Sequence, residues 1–148
     1  MTRREQREAV FQLLFETEFK KDERPEEIFA LAVEDREITV ESESYIKNVY
    51  FEILDKLEEI DALINKCSDG WKTKRITKLS LSIMRLCVYE MLYRDDIPTS
   101  VSINEAVELS KKFDEPKARP FVNGVLNAVK NELSGKANEE SAEQDKND

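Results

Sequence analysis

A chain of 148 residues with only three glycines and four prolines has little material for the turns of a many-stranded sheet, so its composition favours one helical domain. It contains no histidine, which excludes the Ser-His-Asp and Cys-His catalytic arrangements and removes the usual zinc ligands. The net charge of −9 argues against a generic nucleic-acid binder, because neutralisation of phosphates is the main source of non-specific affinity. Any nucleic-acid site must therefore be local.

Two helices are predicted near the N-terminus. The first runs from about Thr2 to Lys20, because apolar residues recur on one side at helical spacing. That stripe consists of Val10, Phe11, Leu13, Leu14 and Phe15. The second helix begins at Pro25, which suits the first helical position, and Glu26 and Glu27 complement the positive end of its dipole.

The middle of the chain predicts a long helical stretch followed by a very apolar helix. The stretch begins after Thr39, ends at Gly70, and is long enough to break into two helices near Asp55 or Glu58. Residues 76–93 are apolar in nearly every direction around the helix axis, which is typical of the centre of a bundle.

Two further helices are predicted towards the C-terminus. Ser102 and Glu105 form an S-x-x-E pattern, which predicts a capping box at the start of the first of them. The last helix starts near Pro120, and Gly124 in its interior predicts close approach of a neighbouring helix, since glycine costs about 1 kcal/mol there relative to alanine. The predicted fold is an all-α, compact bundle of six or seven helices.

Residues 1–134 are predicted to form the single domain and residues 135–148 an acidic disordered tail, with two lysines and five acids. No apolar run approaches the roughly 20 residues that span a bilayer, and the N-terminus lacks the apolar core of a signal peptide. We therefore predict a cytoplasmic protein without membrane contact. In that compartment Cys67 and Cys87 are expected to be unpaired core thiols.

An arginine cluster opens the chain. Arg3, Arg4 and Arg7 fall within an arc of about 100° if the first turn is helical, on the side of the apolar stripe, so we expect them at the exposed helix start beside the core. Such a cluster grips phosphates or stacks on bases. The alternative is a solvated helix end paired with Glu5 and Glu8. The residues alone favour the alternative, because basic clusters are weak signals.

Two other basic regions are candidates. The stretch from Gly70 to Tyr89 has no acid, and its bases are Lys72, Lys74, Arg75, Lys78 and Arg85. Trp71 beside them is interpreted as a core anchor, whereas Lys72, Lys74 and Lys78 are either solvated or phosphate-facing. The second region is a predicted turn with the residues Lys111, Lys112, Phe113, Asp114 and Lys117. Its phenylalanine suits stacking on an unpaired base or burial at a helix end, and the residues alone favour burial.

Three stretches together resemble the NusB family. Residues 3–15 read RREQREAVFQLLF and are similar to the family's R-R-x-A-R-E-x-A-x-Q-x-L-Y. Residues 83–91 read IMRLCVYEM and are similar to I-L-R-L-A-x-Y-E-L. The most specific match is VSINEAVEL at 101–109 followed by FVNGVLN at 121–127. The resemblance covers residues 3–133.

The resemblance implies a fold of two three-helix bundles around a central apolar helix. It also implies a non-enzymatic antitermination factor without a cofactor or metal. Such a factor binds the boxA element of nascent RNA together with NusE, a small-subunit ribosomal protein, and joins other Nus factors on RNA polymerase, chiefly on ribosomal RNA operons. Some relatives pair with themselves, so the resemblance allows a homodimer that covers the RNA surface.

The family's RNA contacts carry over by position. The matching residues are Arg3, Arg4, Arg7, Phe15, Lys112, Phe113 and Lys117. Gln6 and Val10 stand where alanine is common, and Phe15 stands where tyrosine is usual, so stacking is kept there and a tyrosyl hydrogen bond is lost.

Two other functions remain open from the sequence. One is a protein-interaction adaptor that never touches RNA. The other is an RNA-modifying enzyme, because NusB-like domains also occur fused to RNA methyltransferases. We expect no enzyme here, since the sequence has no catalytic domain after Leu133.

Overall fold

The computed structural model describes residues 1–36, 38–69 and 75–147, with side chains described as far as Lys136. Within those ranges the chain forms seven α-helices and no strand, which confirms the all-α prediction. The helices are α1 (Arg3–Phe19), α2 (Pro25–Asp35), α3 (Val40–Asp55), α4 (Leu57–Cys67), α5 (Lys78–Tyr93), α6 (Thr99–Phe113) and α7 (Ala118–Asn147).

The helix boundaries follow local signals in the sequence. Pro25 occupies the start of α2, where its missing N–H group costs nothing. The long middle stretch breaks at Lys56, inside the predicted window between Asp55 and Glu58. The start of α5 is capped by Thr77, whose hydroxyl accepts a hydrogen bond from the Ser80 amide at 3.2 Å.

Helix α5 is the centre of the bundle. Every residue from 80 to 90 is buried, as the apolar pattern predicted. On one side α5 contacts α1 and α3, which also pack against α2, and on the other it contacts α4, α6 and α7. Two groups of three helices, α1–α3 and α4 with α6 and α7, therefore share one central helix. This arrangement confirms the predicted sub-bundles.

Two local predictions for the C-terminal half are wrong. Helix α6 begins at Thr99, directly after Pro98, and no side chain caps it. Ser102 and Glu105 therefore lie inside the helix, where both bind other elements instead of forming a capping box. Gly124 is exposed, and a Cβ atom added there would meet nothing within 4 Å, so no neighbouring helix explains this glycine.

Several other predictions have mixed outcomes. Cys87 is buried and Cys67 is half-buried; neither forms a disulfide, and burial raises the pKa of the Cys87 thiol well above its ordinary value. The backbone of α7 is helical to Asn147, and the domain boundary predicted between residues 134 and 135 stays a prediction. The predictions for Trp71, Lys72 and Lys74 lie outside the described residues. None of the helices described is both long and apolar enough to cross a membrane.

Candidate nucleic-acid interface

The start of α1 and the end of α6 enclose a cleft of about 360 Å³, called here the α1–α6 cleft. It is lined by Arg4, Arg7, Glu8, Glu105, Glu108, Leu109, Lys111 and Lys112. Three of the predicted RNA-binding residues thus meet, although Lys112 is about a hundred residues from Arg4 and Arg7 in the chain. The fold therefore joins the two basic regions that the sequence presented separately.

The first turn of α1 is fixed by a capping box. The Thr2 hydroxyl accepts a hydrogen bond from the Glu5 amide at 3.1 Å, and the Glu5 carboxylate accepts one from the Thr2 amide at 2.9 Å. Hydrogen bonds from Thr2 hold the pKa of the Glu5 carboxyl below its ordinary value. Because this turn is held in helical form, the arginines that follow project at fixed angles.

Arg4 lies at the exposed rim of the cleft. Its Nε and Nη2 atoms donate to the two carboxylate oxygens of Glu105, each at 3.0 Å. The Arg4 side chain is 61% exposed and the Glu105 side chain 15% exposed. The hydrogen bonds and the negative charge of Glu105 raise the pKa of Arg4. The two parallel bonds hold the guanidinium in one orientation while leaving it open to solvent.

Arg7 lies inside the bundle, and its side chain is only 8% exposed. Its Nε donates to one carboxylate oxygen of Glu90 at 2.8 Å, and the Ser102 hydroxyl donates to the other at 2.8 Å. This buried network joins α1, α5 and α6. Arg7 is not at the exposed start of the helix, where we expected it, because the second turn of α1 already packs against α5.

The alternative pairing of the arginines with Glu5 and Glu8 is also wrong. Arg4 and Arg7 reach across to α6 and α5, and Glu8 accepts two hydrogen bonds from Lys112 Nζ, both at 2.9 Å. Lys111 in turn pairs with Glu108 at 3.3 Å. Each base that lines the α1–α6 cleft is therefore compensated by a carboxylate. An incoming phosphate must displace that carboxylate or share its cation.

The predicted aromatic contacts lie in a row of rings rather than on the lining of the cleft. The Phe113 ring centroid is 5.1 Å from that of Phe11, and Phe113 is half-buried, so the burial that the residues alone favoured is partial. Phe15 is also half-buried, 6.3 Å from Phe11 and 4.8 Å from Phe19. Phe19 is 60% exposed, and Lys78 Nζ lies 4.2 Å from its ring centroid. This row extends the site along α1.

Lys117 lies apart from the other predicted residues. It is 86% exposed, pairs with Glu115 at 3.3 Å and borders a separate groove at the start of α7. That groove is lined by Arg75, Ile76, Thr77, Leu79, Ser80, Asp114, Glu115, Lys117, Ala118 and Phe121. The structure thus does not bring Lys117 to the α1–α6 cleft.

Arg3 differs from its neighbours because it stacks on an aromatic ring. Its guanidinium carbon lies 3.7 Å from the ring centroid of Tyr45 on α3. Arg94, at the end of α5, has its guanidinium carbon 5.6 Å from the same ring. Arg94 also donates to both carboxylate oxygens of Asp96, at 3.0 and 2.9 Å. Arg3 immediately precedes Arg4 on the first turn of α1, but its side chain lies against α3 whereas that of Arg4 reaches α6.

Sequence reasoning missed the acids of the site and Tyr45. Glu90 carried a signal, because it and Arg85 are the charged residues in the otherwise apolar stretch 79–92. A charge inside such a stretch predicts a buried partner, and Arg85 indeed pairs with Glu18 and with Asp61, the latter at 2.7 Å. Tyr45 sits among ordinary helix residues, and nothing in the sequence distinguished it.

Comparison with known proteins adds relatives over nearly the whole chain. A model described as the NusB family matches residues 4–131. A protein of Agathobacter rectalis named transcription antitermination protein NusB is 49% identical over 127 residues, covering 85% of this chain and 97% of its own. A protein of the same name from Ruminiclostridium cellulolyticum is 45% identical over 129 residues, covering 87% of this chain and 88% of its own.

Solved structures agree with the fold. T. maritima NusB is 32% identical, with a TM-score of 0.79, covering 87% of this chain and 90% of that chain. A chain in a crystal structure of the antitermination factors NusB and NusE in complex with dsRNA is 29% identical, with a TM-score of 0.76. That match covers 87% of this chain and 97% of the other.

Proposed function

Because this chain belongs to the NusB family, it is a transcription antitermination protein, and we propose that its α1–α6 cleft binds boxA-type RNA together with NusE. The complex joins other Nus factors and RNA polymerase, chiefly on ribosomal RNA operons, and acts in the cytoplasm. The family consists of non-enzymatic antitermination factors. A homodimer that covers the cleft is a second state of the same protein in this proposal.

The observation that carries the proposal is the position of Arg4 and Lys112. Both side chains are 61% exposed, and both lie at one cleft on a chain whose net charge is −9. A local site of this kind attracts phosphates while the remaining acidic surface repels arbitrary RNA. The half-buried rings of Phe113 and Phe15 and the exposed ring of Phe19 supply apolar surface along α1, whereas Phe11 between them is buried. Rings of this kind suit the bases of a single strand.

The ion pairs of the cleft make RNA binding an exchange of anions. A phosphate that reaches Arg4 competes with Glu105, and one that reaches Lys112 competes with Glu8. Such exposed pairs are worth only about 0–1 kcal/mol each, so a well-placed phosphate can replace the carboxylate. The exchange favours an RNA whose phosphates match both cations at once. It disfavours a strand that offers only one contact.

NusE is expected to add RNA surface and to strengthen binding through linkage. A related NusB chain is seen with NusE and dsRNA, which supports a joint complex for this family member. If NusE binds the same RNA, each protein raises the other's affinity by the same factor. We therefore expect RNA to bind more tightly when NusE is present.

The test is binding of a boxA-like single strand and a scrambled strand, with and without NusE, across a salt series. The variant Arg4→Ala/Lys112→Ala should keep its helix content and lose at least about tenfold in RNA affinity, with a shallower salt dependence. Lys130→Ala is the matched control, because this exposed lysine lies on α7 away from the cleft. Its affinity should equal that of the unmodified protein.

The opposite outcome is equally specific. Equal and weak binding of both RNAs, unaffected by NusE and by the double substitution, would overturn the RNA assignment. If NusE were still retained in that case, with little dependence on salt, the chain would be a protein-interaction adaptor.

A further inference from the structure

We propose that Arg3, Tyr45 and Arg94 form a stacking platform that holds one unpaired base of the RNA beside the α1–α6 cleft. This inference rests on the proposed function, because it extends the path of the RNA bound in the cleft. It adds two residues, from α3 and from the end of α5, to a site otherwise built by α1 and α6.

The geometry of Arg3 is that of a stacked guanidinium. A distance of 3.7 Å from its central carbon to the Tyr45 ring centroid places the cation directly over the ring. Tyr45 is half-buried, whereas Arg3 is exposed. The guanidinium therefore rests against the ring while the residue remains exposed to solvent. A planar base can continue this stack on the solvent side.

RNA can bind the platform without displacing an ion pair, which distinguishes the platform from the cleft. Among the described residues Arg3 has no ion pair, whereas Arg4, Lys111 and Lys112 are each paired with a carboxylate. A base that stacks on Arg3 therefore leaves all existing ion pairs intact. Because the ring already orients the guanidinium, little side-chain freedom is lost on binding.

Arg94 adds a second positive charge to the platform. It is held by its two hydrogen bonds to Asp96, which raise the pKa of Arg94 and lower that of Asp96. Arg3 and Arg94 thus place two cations at this ring, and Asp96 pairs with Arg94. Because Arg3 and Arg4 share the first turn of α1, we expect one strand to reach both the platform and the rim of the cleft. A flat cationic surface of this kind suits a base and its phosphate.

The experiment compares Tyr45→Leu with Tyr45→Phe. The phenyl ring preserves the surface under Arg3, so Tyr45→Phe should bind like the unmodified protein, whereas Tyr45→Leu should lose about tenfold in affinity. The RNA carries 2-aminopurine at one position at a time. At saturating protein, the 2-aminopurine at one position should change in fluorescence when the unmodified protein or Tyr45→Phe binds. The same position should show no fluorescence change when Tyr45→Leu binds.

A second variant does not depend on the packing of Tyr45. Arg3→Lys keeps the charge at an exposed position and removes the planar guanidinium, so it should lose the same fluorescence signature while the salt dependence of binding is retained. The platform would be overturned, and the cleft left standing, if both Tyr45→Leu and Arg3→Lys bound RNA as tightly as the unmodified protein and still produced the same fluorescence change. If the unmodified protein fails to select the boxA-like strand, the proposed function and the platform fall together.

Discussion

Arg4 and Arg7 stand three residues apart on one helix, yet they occupy opposite environments. The Arg4 side chain is 61% exposed and shares its charge with Glu105 at the rim of the cleft. The Arg7 side chain is 8% exposed and is paired with Glu90, itself 2% exposed. An arginine-rich run is therefore not functionally uniform. Its first members are exposed and are proposed to contact the RNA, whereas its last member joins three helices.

Arg85 is a second arginine that, like Arg7, is buried and paired with carboxylates. It lies on α5, 8% exposed, and binds Asp61 of α4 and Glu18 of α1. Arg7 and Arg85 thus tie the central helix to its neighbours at separate levels. In both cases the arginine itself is shielded, with 8% of its side chain exposed against 61% for Arg4. That shielding of the cation distinguishes an architectural arginine from one that a ligand can reach.

The largest expected effect of the difference between Arg4 and Arg7 is on the free energy of unfolding. Arg7→Ala leaves Glu90 charged and buried without its cation, so the free energy of unfolding should fall by about 3–5 kcal/mol. Arg4→Ala should cost no more than about 1 kcal/mol, because its pair is exposed. Urea unfolding measures both. Equal stability of the two variants would mean that Arg7 is not architectural and would return it to the set of direct RNA contacts.

A smaller effect is expected from acid. Burial favours a higher pKa for the Glu18 carboxyl, but the hydrogen bond and charge of Arg85 outweigh burial and lower the pKa below its ordinary 4.5. A lowered pKa in the folded state stabilises the protein above pH 4.5, and this contribution is lost as the pH falls through the lowered value.

Glu18→Gln should therefore be less stable than the unmodified protein at pH 7, and the gap should narrow steadily below about pH 4.5. Unfolding by urea at a series of pH values measures the gap. Glu58→Gln, at an exposed position of α4, is the control and should show no comparable gap. A gap that stays constant down to pH 3 would contradict the role of the Arg85 pair.

The smallest effect concerns the competing acids of the cleft. Glu105→Gln removes the carboxylate that holds Arg4, so RNA affinity should rise by about two- to fivefold, with some loss of selectivity. Glu58→Gln changes the net charge equally at an exposed position on α4 and should leave affinity nearly unchanged. A drop in affinity in Glu105→Gln would instead show that Glu105 orients Arg4 for the RNA.

The fold was largely predictable because periodicity encodes burial. The apolar stretch on α5 was visible in the spacing of side chains, whereas the break near Lys56 was expected from the length of the run and the spacing did not place it. The predicted capping box is wrong because the helix already begins after Pro98, although Ser102 and Glu105 have the residue types of a cap. Both side chains lie inside the helix, where Ser102 contacts Glu90 and Glu105 contacts Arg4. Local patterns cannot distinguish a cap from a residue recruited by a distant element.

The site was predictable only in part. The basic residues were identified in the sequence, and the family resemblance favoured an RNA role for them, but their partners Glu105, Glu90 and Glu8 come from other turns and helices. Which arginine is buried depends on how α1 packs against α5 and α6. The angular positions of the arginines around α1 do not determine that packing. From their position on the apolar side of α1 we expected all three arginines at the exposed start of the helix, and this expectation is wrong for Arg7.

The carboxylates of the α1–α6 cleft act as tethered counterions. Unlike dissolved anions, Glu8 and Glu105 stay at the same effective concentration beside their cations when the buffer is diluted. When RNA displaces them, they attract cations from solution, which offsets part of the cation release that drives RNA binding. The affinity of this cleft should therefore vary less with ionic strength than the number of its phosphate contacts implies, and so stay steadier as cellular salt changes.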